Sequence, residues 1–168
     1  MENLLSLRPT QWNLIISPSA KQLLIAIALL AHTGELIVLD CGRRFDSSIV
    51  ARVAHGRKEI VDHIRIQRAF TCFEAVKLIE QLPSGKTPIL IFDFLSTFHD
   101  ENVKPQSRKF LLETSIRHFQ RLSRGAGLAV NVYLPPTSSD SIYLFERLRA
   151  AAPQVLNYEL PVHISPQL

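Results

Sequence analysis

Six short apolar runs alternate with helix-period segments along the whole chain, and this alternation most narrows its possible folds. The runs are WNLIIS (12–17), ELIVLDCG (35–42), HIRIQRAF (63–70), PILIFDF (88–94), LAVNVYL (128–134) and VLNYEL (155–160). Strands separated by a helix-length segment cannot pair as tight hairpins; they need crossover connections and therefore run parallel. PILIFDF is apolar at every position but Asp93, the pattern of a central strand covered on both faces. HIRIQRAF instead alternates, with Ile64 and Ile66 between Arg65 and Gln67, which places it at a sheet edge. The pattern predicts an α/β three-layer fold: a mostly parallel central sheet with helices on both faces.

The segments between the runs carry helix signals. Residues 19–33 read as a buried helix stopped by Gly34, and 46–56 as a short helix opened by Asp46. Thr71 caps a helix over 72–82, and Pro83-Ser84-Gly85 turns the chain. Residues 95–104 read as a polar loop. The longest helix, 105–124, has an apolar side of Phe110, Leu111, Leu112, Ile116, Phe119 and Leu122. Arg108, Lys109, Arg117, Arg121 and Arg124 form its basic remainder. Pro135-Pro136 ends the fifth strand before a helix over 138–152. Trp12 and Tyr133 read as core or strand-end residues. The 168 residues read as one domain, 1–168, without repeats or linkers, and with loosely tied ends at 1–10 and 161–168.

Composition excludes several classes. The longest apolar run, Leu23 to Ala31, is less than half of the roughly 20 residues a membrane span requires. No basic stretch followed by an apolar one marks a secretory leader, so a cytoplasmic protein is expected, or a nuclear one in a eukaryote. Cys41 and Cys72 are then expected to be reduced. The net charge of +4 permits contact with nucleic acid without requiring it.

Two stretches invite comparison with a phosphate-binding loop, which needs G-x-x-x-x-G-K-[ST] between a strand and a helix. Ser84-Gly85-Lys86-Thr87 precedes a strand, not a helix, and Glu80 stands where the first glycine belongs. It reads as a turn. IISPSAKQLL has the right place, between the first strand and first helix. There Lys21 takes the lysine position, but Ile15 and Ala20 replace both glycines and Gln22 replaces the hydroxyl that would hold magnesium.

In order, these strands resemble the core of RecA/RadA-type recombinases and their paralogs. GELIVLDCGRRFDSSIVARVA (34–54) resembles that family's second strand and following helix. HIRIQRAFTCFEAVKLIEQL (63–82) resembles its third strand and Arg-Ala-Phe segment, and PILIFDFLSTF (88–98) its Walker B strand. RKFLLETSIRHFQRLSRGAGLAVNVYL (108–134) resembles the helix and strand after it. The likeness covers about 12–134 and implies a RecA-like P-loop-type fold without an N-terminal DNA-binding domain. The catalytic glutamate position falls at Gly42 and the polar sensor near Leu134-Pro135. Lys21 and Asp93 remain as relics of a nucleotide site. The resemblance implies a non-catalytic paralog with no catalytic residues and no required cofactor, weak ATP binding staying open.

Such a paralog would act in homologous recombination and DNA repair. It would pair with another RecA-like subunit or with itself, through Arg65, Gln67, Phe70 and Leu78 on the edge strand and the helix after it. Single- or double-stranded DNA is a further candidate partner, through Arg43, Arg44, Arg57, Lys58, Arg117, Arg121 and Arg124; the last three share a helix face at i, i+4, i+7. The alternatives are a RecA-like regulatory binding protein outside recombination and a weak nucleotide-binding protein. An enzyme of another kind would have to use His99-Asp100-Glu101, where His99 with Asp93 or Asp100 could bind a metal. No second histidine has ligand spacing to it, so a polar loop and no metal are expected.

Overall fold

A computed structural model describes residues 10–134 and 138–158. Six strands form one sheet in the order β3-β2-β4-β5-β1-β6: β1 (Trp12–Ile16), β2 (Leu36–Asp40), β3 (Ile64–Arg68), β4 (Ile89–Phe92), β5 (Leu128–Val132) and β6 (Gln154–Asn157). Every pairing is parallel. The helices are α1 (Ala20–Ala31), α2 (Ser47–Val53), α3 (Lys58–Asp62), α4 (Cys72–Gln81), α5 (Pro105–Ser123) and α6 (Ser139–Ala151).

The strand period of two builds both layers. Ile89 and Ile91 of β4 face α4, α5 and α6, together with Leu14, Ile16, Leu128 and Val130. Leu90 and Phe92 face the other way, onto α1 and α2, with Ile15, Val38 and Ala129. A strand whose successive residues enter two different cores must be apolar throughout, which is why β4 reads as an unbroken run. β3 is an edge strand, as its alternation predicts, and its residues are largely exposed. Trp12 is core, with its ring 5.2 Å from that of Phe119.

Four expectations need correction. The stretch after Asp93 is not a polar loop at its start: Phe94–His99 forms a 3-10 helix that buries Phe94, Leu95 and Phe98. Phe110 is not core but 66% exposed, because the face of α5 that meets the sheet is set by Leu112, Ile116 and Phe119. Arg108, expected on the basic remainder, is 5% exposed. Its guanidinium donates to the carbonyls of Phe98 and Val103 and lies 3.5 Å from Asp140. Those carbonyls lie at the end of the 3-10 helix and just after it, so Arg108 ties that segment to α5. No helix was expected between Gly56 and His63, yet Lys58 opens α3, and Arg57 stands at its N-cap position without a side-chain cap bond. The expectations for 1–9, Pro135-Pro136 and 159–168 lie outside the described residues.

Arg121 also departs from a solvated basic stripe. It donates to the carbonyls of Ile79 and Leu82, to Ser84 Oγ, and through Nε to His118 Nδ1 at 3.0 Å. The last carbonyls of a helix have no partner within it, and Arg121 supplies one for α4. His118 must be neutral to accept this bond. Burial first, and then the charge of Arg121, hold its pKa below the ordinary histidine value. A depressed histidine pKa gives stability that is complete above the unfolded-state pKa and declines as pH falls through the folded one. Urea unfolding is therefore expected to show a loss of stability between about pH 7.5 and about pH 5.5. Arg121→Ala should lower stability by about 1–2 kcal/mol at neutral pH and flatten that acid slope.

Candidate functional site

In open parallel sheets the ligand crevice lies outside the carboxyl ends of the strands, where neighbouring connections leave on opposite faces. Here β2 leaves through α2 on one face while its neighbour β4 leaves through α5 on the other. Likewise β1 leaves through α1, and its neighbour β5 through α6. The ends of β1, β2 and β4 each carry a non-glycine residue in the left-handed region: Ser17 (φ 52), Arg43 (φ 55) and Asp93 (φ 53). Such conformations persist only where surrounding contacts fix them, and they concentrate at functional sites.

Those contacts start from three polar side chains. Asp40, buried at the end of β2, accepts from the backbone N–H of Gly42 (3.2 Å), Arg44 (3.1 Å) and Phe45 (2.9 Å), folding 40–45 into a tight hook. Asn131, buried in β5, accepts from the Asp93 N–H at 2.9 Å and donates to the Ile15 carbonyl at 3.2 Å. It thereby ties β4 to β1 across the strand between them. Asp93 itself is closed by Arg44, whose Nε lies 2.7 Å from Oδ2. The Arg44 guanidinium also sits 4.0 Å over the Tyr133 ring. Burial works against the Arg44 charge, but the hydrogen bond to Asp93 and its carboxylate outweigh it and raise the pKa. Burial pushes the Tyr133 phenol up to about 12, the nearby Arg44 partly opposing it.

Gly42 completes this centre. A Cβ at residue 42 would lie 2.6 Å from the Cβ and Cγ of Asp93, and closer still to its Oδ2. The Asp93 carboxylate therefore fills the volume that a side chain at position 42 would take. At the end of β1, Ser19 and Gln22 form a capping box: Ser19 Oγ accepts from the Gln22 N–H (3.1 Å) and Gln22 Oε1 from the Ser19 N–H (2.9 Å). Two donors at the start of α1 are thus bonded to side chains of the helix itself. Lys21 is exposed in the first turn. With β5 between their strands, Lys21 and Asp93 belong to strand ends roughly 10 Å apart.

The other candidates are dispersed. Arg43 and Arg44 lie at the carboxyl edge. Arg57 and Lys58 precede β3 at the opposite edge on the α1 side, while Arg117, Arg121 and Arg124 occupy the distal half of α5 in the other layer. The seven do not form one surface. Arg65, Gln67 and Leu78 do come together, around a groove of about 400 Å³ also lined by Ile66 and Leu82. Phe70 lies apart from them, beneath Arg43. His99 bonds Ser141 through Nδ1 (3.1 Å), and among the described residues no group of three His, Cys, Asp or Glu could hold a metal. Tyr133 is a strand-end residue, as expected. Asp40 and Asn131 escaped the sequence reading, although a polar residue inside an apolar strand pattern such as LAVNVYL signals a buried hydrogen-bonding role.

No protein-family model and no curated protein matches the sequence. Among solved structures, the crystal structure of the RadB recombinase superimposes with a TM-score of 0.65 over 93% of this chain and 78% of that one, at 13% identity. The fold is RecA-like. Asp93 directly follows β4, and Gly42, two residues past the end of β2, lies against it. No described helix is long and apolar enough to cross a membrane.

Proposed function

We propose that this RecA-like domain does not hydrolyse ATP and serves recombinational DNA repair as a binding subunit of another RecA-like protein. The observation that carries the reading is the Arg44–Asp93 pair packed against Gly42. Phosphoryl transfer needs a metal, a positioned water and charge neutralisation together. Here the aspartate that would serve the metal is neutralised by a guanidinium from its own chain. The glutamate that would polarise water is a glycine, and the start of α1 is capped by Ser19 and Gln22. Lys21 and Asp93 are then relics of a degenerate nucleotide site.

The partner surface in this reading is the β3 edge with α4, where Arg65, Gln67 and Leu78 line a groove of about 400 Å³. An exposed edge strand beside an apolar groove suits an added strand, with main-chain bonds for affinity and the groove for selectivity. A role in recombination rests on the fold shared with the RadB recombinase and on the sequence resemblance described above.

Affinity capture from the source cell followed by mass spectrometry tests the partner. Recovery of a RecA-like protein is expected, lost by at least about tenfold in Arg65→Glu/Leu78→Asp; recovery of metabolic enzymes alone would sink the reading. Nucleotide use is tested separately by melting with Mg-ATP. A ligand at about 100 times its Kd adds roughly 2.7 kcal/mol, or several degrees for a domain of this size. A shift below about 1 °C and no phosphate release are expected; a shift of several degrees contradicts the proposal.

A further inference from the structure

Arg43 and Arg44 are neighbours in sequence that leave the end of β2 in opposite directions. Arg44 closes onto Asp93 and Tyr133. Arg43 lies over the Phe70 ring, 5.0 Å from its centroid, and has no ion pair among the described residues. Phe70 is 55% exposed, so the stack faces solvent. Beside it opens a cavity of about 130 Å³ lined by Gly42, Arg43, Ala69, Ser96 and Thr97. Whole small-molecule ligands occupy pockets of roughly 300–1,000 Å³. This cavity is therefore too small for a nucleotide but has room for one phosphate group.

Its chemistry suits that group. A guanidinium offers paired donors to phosphate oxygens, and the exposed Ser96 hydroxyl adds a donor, while the Thr97 hydroxyl already donates to the Phe94 carbonyl at 3.3 Å. A guanidinium lying on an aromatic ring leaves its outer plane free, and nucleobases stack on such planes. Arg68, half-exposed at the end of β3, lies on the same side with its Nε 3.9 Å from the Asp40 carboxylate, whose charge it balances. Of the nearby carboxylates, Asp93 is held by Arg44, Asp40 by three backbone N–H groups and Arg68, and Glu74 accepts from the Phe70 N–H at 3.3 Å. Charge and stacking surface thus converge where Arg43 meets Phe70, two residues that sequence alone assigned to different partners.

We propose that the cavity beside Gly42 takes the phosphate of a base-bearing phosphate ester, whose base stacks outside on the Arg43–Phe70 pair without any metal. The site is separate from the phosphate-loop position at β1, which lies beyond β4 and β5. The shared chemistry allows two sources, a free nucleotide or a unit of single-stranded nucleic acid. The inference builds on the reading that the phosphate-loop position holds no Mg-nucleotide. Its test is run in EDTA, so its failure is independent of the Mg-ATP result.

The probes are a fluorescent oligothymidine and its duplex, followed by anisotropy at two salt concentrations, with calorimetry for thymidine monophosphate and inorganic phosphate. Wild type is expected to bind the single strand more tightly at low salt. Arg43→Ala and Phe70→Ala should each weaken it by about tenfold or more, and Phe70→Trp should retain it. Arg57→Ala/Arg124→Ala should change it by less than about twofold. Unchanged melting of each variant keeps the comparison interpretable, since both side chains are exposed. Binding of the monophosphate as well would assign a free nucleotide as source, and binding of the oligomer alone a nucleic acid. No binding of any base-bearing probe would overturn the proposal. So would a silent Phe70→Ala, equal affinity for duplex, or an equal loss in the distal double variant.

Discussion

Gly42→Ala is expected to lower unfolding stability by about 3 kcal/mol, the upper end of what one added methyl does in a packed site. The methyl would meet not a mobile side-chain tip but Cβ and Cγ of Asp93, each 2.6 Å away. Asp93 cannot swing aside easily. Its backbone is fixed at φ 53 and bonded to Asn131, and its carboxylate is held by Arg44. For a domain of this size the loss corresponds to a melting decrease of roughly 6–12 °C. Asp93→Gly in the same chain removes the opposing atoms and suits the positive φ, so the double variant should recover part of the loss. If Gly42→Ala melts within about 1 °C of wild type, the close packing of residue 42 against Asp93 is wrong.

Arg44→Ala is expected to cost about 2 kcal/mol, because it leaves a carboxylate that is 9% exposed without its cation. Fully buried pairs lose roughly 3–5 kcal/mol when one partner is removed; the figure here is lower because the Arg44 side chain is 40% exposed and water screens the pair. Asp93→Asn alone should be milder, and adding it to Arg44→Ala should restore most of the stability, since the neutral amide needs no cation. Chemical denaturation of the four proteins gives the coupling energy directly. Additive losses would mean that Arg44 stabilises through the Tyr133 ring alone.

Much of this was readable from the sequence. The unbroken run of β4, the alternation of β3 and the helix-length spacing between strands lead to a parallel sheet with β3 at its edge. Each reflects how many of a strand's faces are covered, which is local and periodic information. The site was legible only in part. Residues Lys21, Gly42 and Asp93 were singled out by the resemblance to RecA/RadA-type recombinases, but not the company they keep. The stripe 117, 121, 124 on α5 was legible as a face, whereas the turn of Arg121 onto the end of α4 was not. Arg108 was misread for the same reason. A long cationic side chain carries no periodic signal telling whether its head reaches water or a buried carbonyl.

Tertiary structure decided what the centre of the carboxyl edge is made of. Asp93 and Arg44 are separated by 49 positions and meet only because β2 and β4 are neighbours in the sheet. Arg43 and Phe70 meet because β3 lies on the other side of β2. The sequence by itself determined which segments are strands and helices, because burial imposes a period on the residues of each element. Which charges are paired was left to the fold, because ion pairs and stacks depend on strand order, and strand order leaves no period in the chain.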